Sequence, residues 1–203
     1  MFVQAGQGPA HRRGCGQTMT DLVEVVMEAL RDRDWTLACA ESCTAGRLAQ
    51  TLASGPGASR IFLGGVVAYT PSTKERVLAV PAEMLERPEG AVSEDVAVQM
   101  ARGAADLTGA DLALATTGVA GPSSDEEGNP VGRVYIALHD ATAGDAEGAV
   151  RRFDFGDIGP KEVVERTVDA ALILLAGHLA AQPHERSARQ AQPGRRSGEG
   201  GGS

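Results

Sequence analysis

The segment WTLACAESCTAGRLAQTL, residues 35–52, contains three successive patterns that together indicate an α/β fold. Trp35–Ala40 is a short apolar run, which predicts a buried strand. Glu41–Gly46 is small and polar and ends in glycine, as is typical of a tight turn. Leu48 and Leu52 lie four residues apart, which is the spacing of one helix face. Strand, turn and helix in this order form the building unit of α/β sheets.

Apolar periodicity on both sides of this segment predicts four more helices and four more strands. Helices and strands alternate in the first half, whereas two strands close enough in sequence to pair antiparallel follow each other in the second half. This order predicts an α/β protein, a three-layer α/β/α sandwich around a mixed, mostly five-stranded sheet. The additional helices are expected from Met19 through Leu30, from Ser72 to about Ala79, from the capping Ser93 to about Leu107 and from Lys161 to about Ala181, and the additional strands at Arg60–Thr70, Asp111–Thr117, Arg133–His139 and Ala149–Phe155.

The composition suits one globular domain. Of the 203 residues, 42% are hydrophobic and only 3% aromatic, so the core is expected to consist of Ala, Val and Leu. The domain is predicted to span residues 19–182. Residues 1–18 are expected to be a disordered N-terminal extension, with Met19 as a candidate natural start, and the Gly-, Arg- and Ser-rich residues 183–203 a disordered tail.

Composition and charge also argue against several classes of function. No apolar run reaches the roughly 18 to 20 residues that cross a bilayer, and residues 1–20 lack the apolar core of an export signal, so a cytoplasmic protein without membrane contact is expected. The net charge is −8, and residues 20–180 carry −12. Nucleic acid is therefore not expected as a partner, because this negative charge repels its phosphate backbone. Cys15, Cys39 and Cys43 lack the spacing of a zinc site or a disulfide framework, and no metal or other cofactor is expected.

Ser42 lies where a predicted strand ends and a helix begins, a position at which backbone N–H groups can stabilise an oxyanion. Its hydroxyl is therefore a candidate nucleophile, although the same position also suits a simple helix cap. None of the four histidines is well placed as its base. Lysine is the other option, because a buried lysine can lose its proton, and the chain has only Lys74 and Lys161. Lys74 follows a predicted strand and is either this base or a solvated lysine on a short helix.

A second candidate loop follows the predicted strand 111–117. Residues 116–122, TTGVAGP, contain two glycines that allow close backbone approach, so that N–H groups here could hold a phosphate or an oxyanion. The loop lacks the Gly-Lys-Ser/Thr of a P-loop and the GxGxxG of a dinucleotide fingerprint, and a plain structural turn also explains it. The acidic residues 125–127 that follow are interpreted as a solvated loop face.

Five sequence blocks together resemble the CinA C-terminal domain family. They occur in the order found in the family and span about residues 20–182, so the resemblance covers essentially the whole predicted domain. Each block is weak alone, and the combination carries the resemblance. The blocks are Ala40–Gly46 (AESCTAG), Tyr69-Thr70 with Lys74, Gly90–Glu94 (GAVSE), Thr117–Pro122 (TGVAGP) and Pro130–Gly132 (PVG) with Val134.

The resemblance implies hydrolysis of the carboxamide of nicotinamide mononucleotide to nicotinate mononucleotide and ammonia, in pyridine-nucleotide salvage and without a metal or redox cofactor. Ser42 is the implied nucleophile and Lys74 its base. Backbone N–H groups around Cys43 and Thr44, helped by Thr117, are expected to stabilise the oxyanion. Glu41 is expected to orient the turn or to lie near the cationic ring, and Tyr69 to pack against the nicotinamide or to support Lys74. Gly118, Ala120 and Gly121 are expected to lie near the ribose phosphate. Arg166, on the last helix, is a further substrate-binding residue that the resemblance implies.

One departure from the family pattern concerns the phosphate. Family members commonly carry Gly-Asp-Arg after the last strand, where this chain has Gly156-Asp157-Ile158, and Arg133, Arg151 or Arg152 are the candidates to compensate. The alternative function is therefore a non-catalytic protein that binds a nucleotide or a protein partner, in line with the competence and DNA-damage associations of the family. A third interpretation makes Cys43 the nucleophile, because a helix N-terminus lowers the pKa of a thiol.

The last predicted helix contains four consecutive apolar residues, LILL, at positions 172–175. Such a run implies burial on more than one helix face. Together with the family resemblance it predicts a homo-oligomer of undetermined size.

Overall fold

The computed structural model describes residues 19–143 and 148–182, in which it contains seven helices and five strands. The predicted terminal segments 1–18 and 183–203 lie outside the described residues. The strands are β1 (Leu37–Glu41), β2 (Phe62–Val67), β3 (Leu112–Gly118), β4 (Arg133–Asp140) and β5 (Gly148–Asp154). The helices are α1 (Met19–Arg33), α2 (Arg47–Ala53), α3 (Ala58–Ile61), α4 (Pro71–Leu78), α5 (Ala82–Leu85), α6 (Glu94–Thr108) and α7 (Pro160–Ala181).

The five strands form one mixed sheet in the order β2-β1-β3-β4-β5. β1 pairs in parallel with β2 and with β3, whereas the pairs β3–β4 and β4–β5 are antiparallel. Parallel neighbours need a crossover connection, and the helices between β1 and β2 and between β2 and β3 supply it. The short connection from β4 to β5 suits an antiparallel pair. The predicted mixed five-stranded sheet is confirmed.

Alternating side chains of β1 divide the core into two layers. Leu37 and Cys39 point to one face of the sheet, which α1, α2 and α7 cover, whereas Ala38 and Ala40 point to the other face, where α4 and α6 pack. The strand side chains on the second face are mostly alanines, so α6 lies close to the sheet. The result is the predicted three-layer α/β/α sandwich.

Local differences from the predicted elements have simple causes. The hydroxyl of Ser93 accepts a hydrogen bond from the N–H of Val96 (3.4 Å), so the predicted cap of α6 is confirmed. The predicted strand Arg60–Thr70 is shorter, because its first residues belong to the one-turn helix α3 and β2 ends at Val67. Helices α3 and α5 were not predicted, since four residues are too few to show helical periodicity.

The apolar run of α7 is only partly buried within one chain. Leu172 and Leu175 are fully buried, whereas Ile173 is 62% exposed. Self-association through the exposed part stays a prediction. Within the described ranges no helix combines the length and the apolar character that crossing a membrane requires.

Candidate active site

The carboxylate of Glu41, the last residue of β1, organises the start of α2. Glu41 is fully buried, and its two oxygens accept hydrogen bonds from the N–H groups of Gly46 (3.0 Å), Leu48 (3.0 Å) and Ala49 (2.8 Å). The first N–H groups of a helix lack intrahelical partners, and the helix dipole favours a negative charge there. Glu41 therefore orients the turn. Its other predicted role, contact with a cationic ring, does not fit a residue without exposed surface.

The turn between β1 and α2 leaves two backbone N–H groups for a ligand. Those of Cys43 and Thr44 donate to no other residue in the described part of the chain, although the Cys43 N–H also acts on its own thiol. They are also the two predicted to form an oxyanion hole, which needs N–H groups free to bind developing negative charge. The other three N–H groups are bonded, that of Ser42 to the carbonyl of Thr116 (2.9 Å), that of Ala45 to the carbonyl of Ser42 (3.2 Å) and that of Gly46 to Glu41 (3.0 Å).

Two successive side chains at the end of β3 make different contacts. The first contacts this turn and the second contacts α4. Neighbouring strand residues point to opposite faces, and both Thr116 and Thr117 are fully buried. The hydroxyl of Thr116 lies 2.7 Å from that of Thr44, on the α2 side of the sheet. The hydroxyl of Thr117 lies 2.8 Å from the Nζ atom of Lys74, on the α4 side. The site therefore lies at the carboxyl ends of two adjacent parallel strands.

Lys74 is a lysine with almost no exposed surface. It lies on α4, which the Thr70 side chain caps, and it is 1% exposed, so the alternative of a solvated lysine is wrong. Its Nζ atom donates to the carbonyl of Ala91 (2.9 Å) and to the hydroxyl of Thr117 (2.8 Å). The Thr117 hydroxyl itself donates to the carbonyl of Ala91 (2.8 Å). Because its single hydrogen is used there, Thr117 positions the lysine, and its predicted help with the oxyanion does not fit this arrangement.

Burial changes the proton affinities of two groups at the site. It lowers the pKa of Lys74 from its ordinary value of 10.5 to about 8. The electrostatic effects of Cys43 and Glu127 act in the opposite direction and raise this pKa, but they are smaller. It raises the pKa of Cys43 from 9.0 to about 12, although the nearby Lys74 lowers it. Near neutral pH a fraction of Lys74 is therefore neutral, whereas the thiol of Cys43 keeps its proton.

Two predicted substrate-binding residues lie apart from the buried network. Tyr69 is 68% exposed, so its ring does not support Lys74 from within the core. Arg166, on α7, forms an ion pair with Glu162 (2.9 Å), and its side chain is 53% exposed. Contact of Tyr69 and Arg166 with a substrate stays a prediction.

The loop after β3 is shaped by packing against β4 and the core. A Cβ atom on Gly118 would lie 2.6 Å from the carbonyl oxygen of Arg133, so glycine is required for the close pairing of β3 with β4. Ala120 packs against the core, and Gly121 has a φ of +104°, a conformation that favours glycine. The predicted approach of Gly118, Ala120 and Gly121 to a ribose phosphate stays a prediction.

The arginines considered as substitutes for the missing family arginine have partners within the chain. Ile158, which occupies that position, is 38% exposed. A phosphate would therefore have to compete with existing contacts for an arginine on β4 or β5. These contacts are Arg133 with Asp154 (2.8 Å), Arg152 with Asp154 (3.2 Å) and Arg151 with the carbonyl of Val150 (2.8 Å).

Three contributors to the site were not predicted. Ala91 gives Lys74 its carbonyl, and a backbone carbonyl leaves no trace in sequence because every residue has one. The hydroxyl of Thr116 lies 2.7 Å from that of Thr44, but the sequence showed Thr116 only at the end of a predicted strand and the start of the loop after it. Glu127 was interpreted as a solvated loop residue, which its exposure confirms, and its effect on the pKa of Lys74 was not foreseen. As for metals, residues 19–143 and 148–182 contain no group of three His, Cys, Asp or Glu side chains that could hold an ion.

The fold and the site together define an α/β/α domain with a buried lysine beside a serine-containing turn, at the carboxyl ends of two parallel strands. The chain belongs to the CinA C-terminal domain family, whose model matches residues 19–179. The resemblance in the sequence blocks is thereby confirmed.

Relatives and solved structures agree with this assignment. A CinA-like protein of Parasynechococcus marenigrum is 41% identical over 168 residues, which are 82% of this chain and 39% of the relative. A CinA-like protein of Geobacter sulfurreducens is 44% identical over 149 residues, 73% of this chain and 34% of the relative. The chain therefore spans well under half the length of the curated relatives it matches.

Two crystal structures have the same fold. The competence damage-inducible protein A of Klebsiella pneumoniae has a TM-score of 0.77 and 35% identity, covering 82% of this chain and 100% of that one. A competence-damaged protein (CinA) superfamily protein of Enterobacter cloacae has a TM-score of 0.79 and 30% identity, and the match covers 86% of this chain and 99% of that one. The mixed five-stranded sheet with helices on both faces is thus the architecture of CinA superfamily proteins.

Proposed function

We propose that this protein is an amidohydrolase that converts nicotinamide mononucleotide to nicotinate mononucleotide and ammonia, with Ser42 as nucleophile and Lys74 as base. The substrate is inferred from the family resemblance. The type of chemistry is supported by one observation above all, the buried Lys74, whose amine is held by the carbonyl of Ala91 before α6 and by the hydroxyl of Thr117 at the end of β3.

The hydrogen bonds of Lys74 suit a general base. A neutral amine has two N–H groups and one lone pair. The carbonyl of Ala91 and the hydroxyl of Thr117 accept the two N–H groups, which leaves the lone pair directed elsewhere. Ser42 directly follows β1 and is buried, and its N–H donates to the carbonyl of Thr116 (2.9 Å), one residue before Thr117, the acceptor of Lys74. A pKa of about 8 leaves roughly a tenth of the lysine neutral at pH 7.

In the proposed reaction, the Oγ atom of Ser42 attacks the carboxamide carbon while Lys74 takes its proton. The N–H groups of Cys43 and Thr44 stabilise the tetrahedral oxyanion. Its collapse breaks the C–N bond, and Lys74 returns the proton to the nitrogen so that ammonia leaves. A water molecule that gives its proton to Lys74 then attacks the acyl-serine ester. Lys74 passes this proton to the serine oxygen as the C–O bond breaks, and the acid that is formed loses its own proton to solvent and leaves as a carboxylate.

The same proton affinities favour Ser42 over Cys43 as the nucleophile. A thiol attacks as its thiolate, and a pKa of about 12 leaves Cys43 almost entirely protonated near neutral pH. A serine hydroxyl, in contrast, is activated during the attack itself by a neighbouring base. The neutral fraction of Lys74 supplies such a base.

The decisive experiment measures ammonia release from nicotinamide mononucleotide by the full chain and by two variants, Ser42→Ala and Lys74→Met. Each variant is expected to lose activity by on the order of 10³-fold or more, because the proposed mechanism makes Ser42 the nucleophile and Lys74 the base. The matched controls are Ser54→Ala and Lys161→Met, which change an exposed serine at the end of α2 and the other lysine of the chain. Both controls are expected to keep wild-type rates.

Retention of activity in Ser42→Ala would contradict the serine mechanism. If Cys43→Ser were inactive at the same time, the nucleophile would be the thiol. Thermal unfolding of each variant distinguishes a loss of activity from a loss of the folded structure.

A second candidate function is a non-catalytic protein that binds a nucleotide or a protein partner. The observation that favours it is Ile158 at the position of the family arginine, because a phosphorylated substrate is then held less tightly. Binding of nicotinamide mononucleotide without ammonia release, by protein shown to be folded, would support this function instead of the amidohydrolase.

A further inference from the structure

The loop of residues 122–130 is fastened to the turn that precedes Ala91. Asn129 is 9% exposed, and its side-chain amide donates to the carbonyl of Glu89 (3.2 Å) and to the carboxylate of Asp125 (2.8 Å). The N–H of Asn129 donates to the other carboxylate oxygen of Asp125 (2.7 Å). These three hydrogen bonds of a buried asparagine, two from its side chain and one from its backbone, give this acidic loop a defined place beside the active site.

This attachment places the side chain of Glu127 against Gly90. Gly90 has a φ of +58°, and a Cβ atom there would lie 2.7 Å from the Cγ, Cδ and Oε1 atoms of Glu127. The carboxylate therefore rests on the backbone immediately before Ala91, whose carbonyl holds Lys74. Its charge also acts on Lys74 across this contact.

Glu127 differs from the other carboxylate at the site in being accessible. Glu41 is fully buried and its oxygens are occupied by N–H groups of α2, whereas Glu127 is exposed to solvent. In the reacting form of the site Lys74 is neutral, so the carboxylate of Glu127 faces no positive charge from it. A cationic ligand entering beside Lys74 would restore the balance of charge.

We propose that Glu127 is a specificity-determining residue, whose carboxylate faces the positively charged ring of an N-substituted pyridine carboxamide at the entrance to the site. This inference rests on the proposed function and deepens it. An N-substituted nicotinamide carries a quaternary, cationic ring, whereas its 1,4-dihydro form has nearly the same shape and no ring charge. The protein is therefore expected to select the oxidised ring over the reduced one.

The test compares the affinities of nicotinamide mononucleotide and of its 1,4-dihydro form by calorimetry at about pH 9, where a pKa of about 8 leaves Lys74 mostly neutral, and at low ionic strength, where screening is weakest. The full chain carries Ser42→Ala, so that the nucleotide is not consumed, with or without Glu127→Gln. Glu127→Gln is expected to weaken binding of the cationic nucleotide about threefold to fivefold and to leave binding of the dihydro form unchanged. The control Glu126→Gln removes the same charge from the adjacent exposed residue and is expected to change neither affinity.

Equal losses for both ring forms, equal losses in Glu127→Gln and Glu126→Gln, or no loss at all would each overturn the inference. Glu127→Asp keeps the charge and is expected to keep most of the preference, which separates a charge effect from a disturbed loop. Ammonia release by the wild-type chain is measured in parallel. Selection of the cationic ring through Glu127 without ammonia release would support this inference and contradict the proposed function.

Discussion

The amine of Lys74 and the hydroxyl of Thr117 lie 2.8 Å apart and share one acceptor, the carbonyl oxygen of Ala91. This network joins α4, the segment before α6 and the end of β3. It holds a lysine that has almost no exposed surface in one orientation. If Lys74 is the base, the rate of reaction depends on this orientation as much as on the pKa of the amine.

Thr117→Val tests the positioning of the amine. Valine has nearly the shape of threonine but cannot accept the hydrogen bond from Lys74, so the amine loses one of its two fixed acceptors. We expect kcat to fall roughly tenfold to a hundredfold with a smaller change in KM, because misplacement of a catalytic group slows the chemical step. Steady-state kinetics on nicotinamide mononucleotide measure both constants. Thr117→Ser keeps the hydroxyl, and a Thr117→Ser enzyme as slow as Thr117→Val would contradict a positioning role.

The pH dependence of the reaction follows from the lowered pKa of Lys74. Only the neutral amine accepts a proton, so kcat/KM is expected to rise with pH and to level off above about pH 8. Glu127 and the thiolate form of Cys43 both raise the pKa of Lys74, but the thiol of Cys43 stays protonated throughout this range, which leaves Glu127 as the group that acts. Glu127→Gln removes an attraction that raises the pKa of Lys74, so its profile is expected to shift to lower pH. A flat profile, or one that falls as the pH rises, would rule out a lysine base.

Lys74→Met is expected to stabilise the fold at neutral pH. Burial lowers the pKa of Lys74 from 10.5 to about 8, so below pH 8 the folded state carries a charge that it disfavours. We expect the variant to gain about 1 to 3 kcal/mol in free energy of unfolding at pH 7. Between about pH 8 and 10.5 the unfolded chain binds more protons than the folded one, so wild-type stability rises with pH. Urea unfolding at pH 7 and pH 10 should therefore show the difference between variant and wild type shrinking at the higher pH.

Glu41→Gln probes the start of α2. The glutamine amide keeps the size of the carboxylate but presents an NH₂ group where backbone N–H groups need an acceptor. The expected loss is about 2 kcal/mol in free energy of unfolding, because hydrogen bonds to a buried charge are among the stronger ones. Glu28→Gln, at a site whose side chain is 69% exposed, is the control and is expected to change stability by less than about 0.5 kcal/mol. Equal effects of the two substitutions in urea unfolding would mean that Glu41 does not hold the helix.

Ile158→Arg restores the arginine that family members commonly carry after the last strand. Ile158 is 38% exposed, so the longer side chain has access to solvent. We expect the affinity for nicotinamide mononucleotide to increase about tenfold and that for nicotinamide riboside, which lacks the phosphate, to stay the same, because a charge-assisted bond to phosphate is added. Competition between the two substrates measures the ratio. An unchanged ratio would mean that position 158 does not face the phosphate.

Local signals account for the elements that were predicted correctly. The apolar run at Trp35–Ala40 and the glycine-terminated turn after it predicted β1 and the start of α2, and Ser93 followed by acidic residues predicted the cap of α6. One-turn helices escaped prediction because four residues carry no periodicity. The predicted length of β2 was too great at both ends, since residues next to the strand on each side are also apolar.

Residue types, their order and their spacing were sufficient to predict the sandwich and to select Ser42 and Lys74 as candidates, since chain order and side-chain alternation are properties of the sequence itself. Proton affinity is not such a property. The two acceptors of Lys74 come from residues 17 and 43 positions away, and its loss of contact with water results from packing between α4, α6 and β3. The pairing of Glu41 with α2 and of Glu127 with Gly90 likewise depends on where the folded chain brings these groups together. The charge state of Lys74 is therefore set by tertiary structure, because desolvation and remote hydrogen bonds decide the pKa of a buried amine.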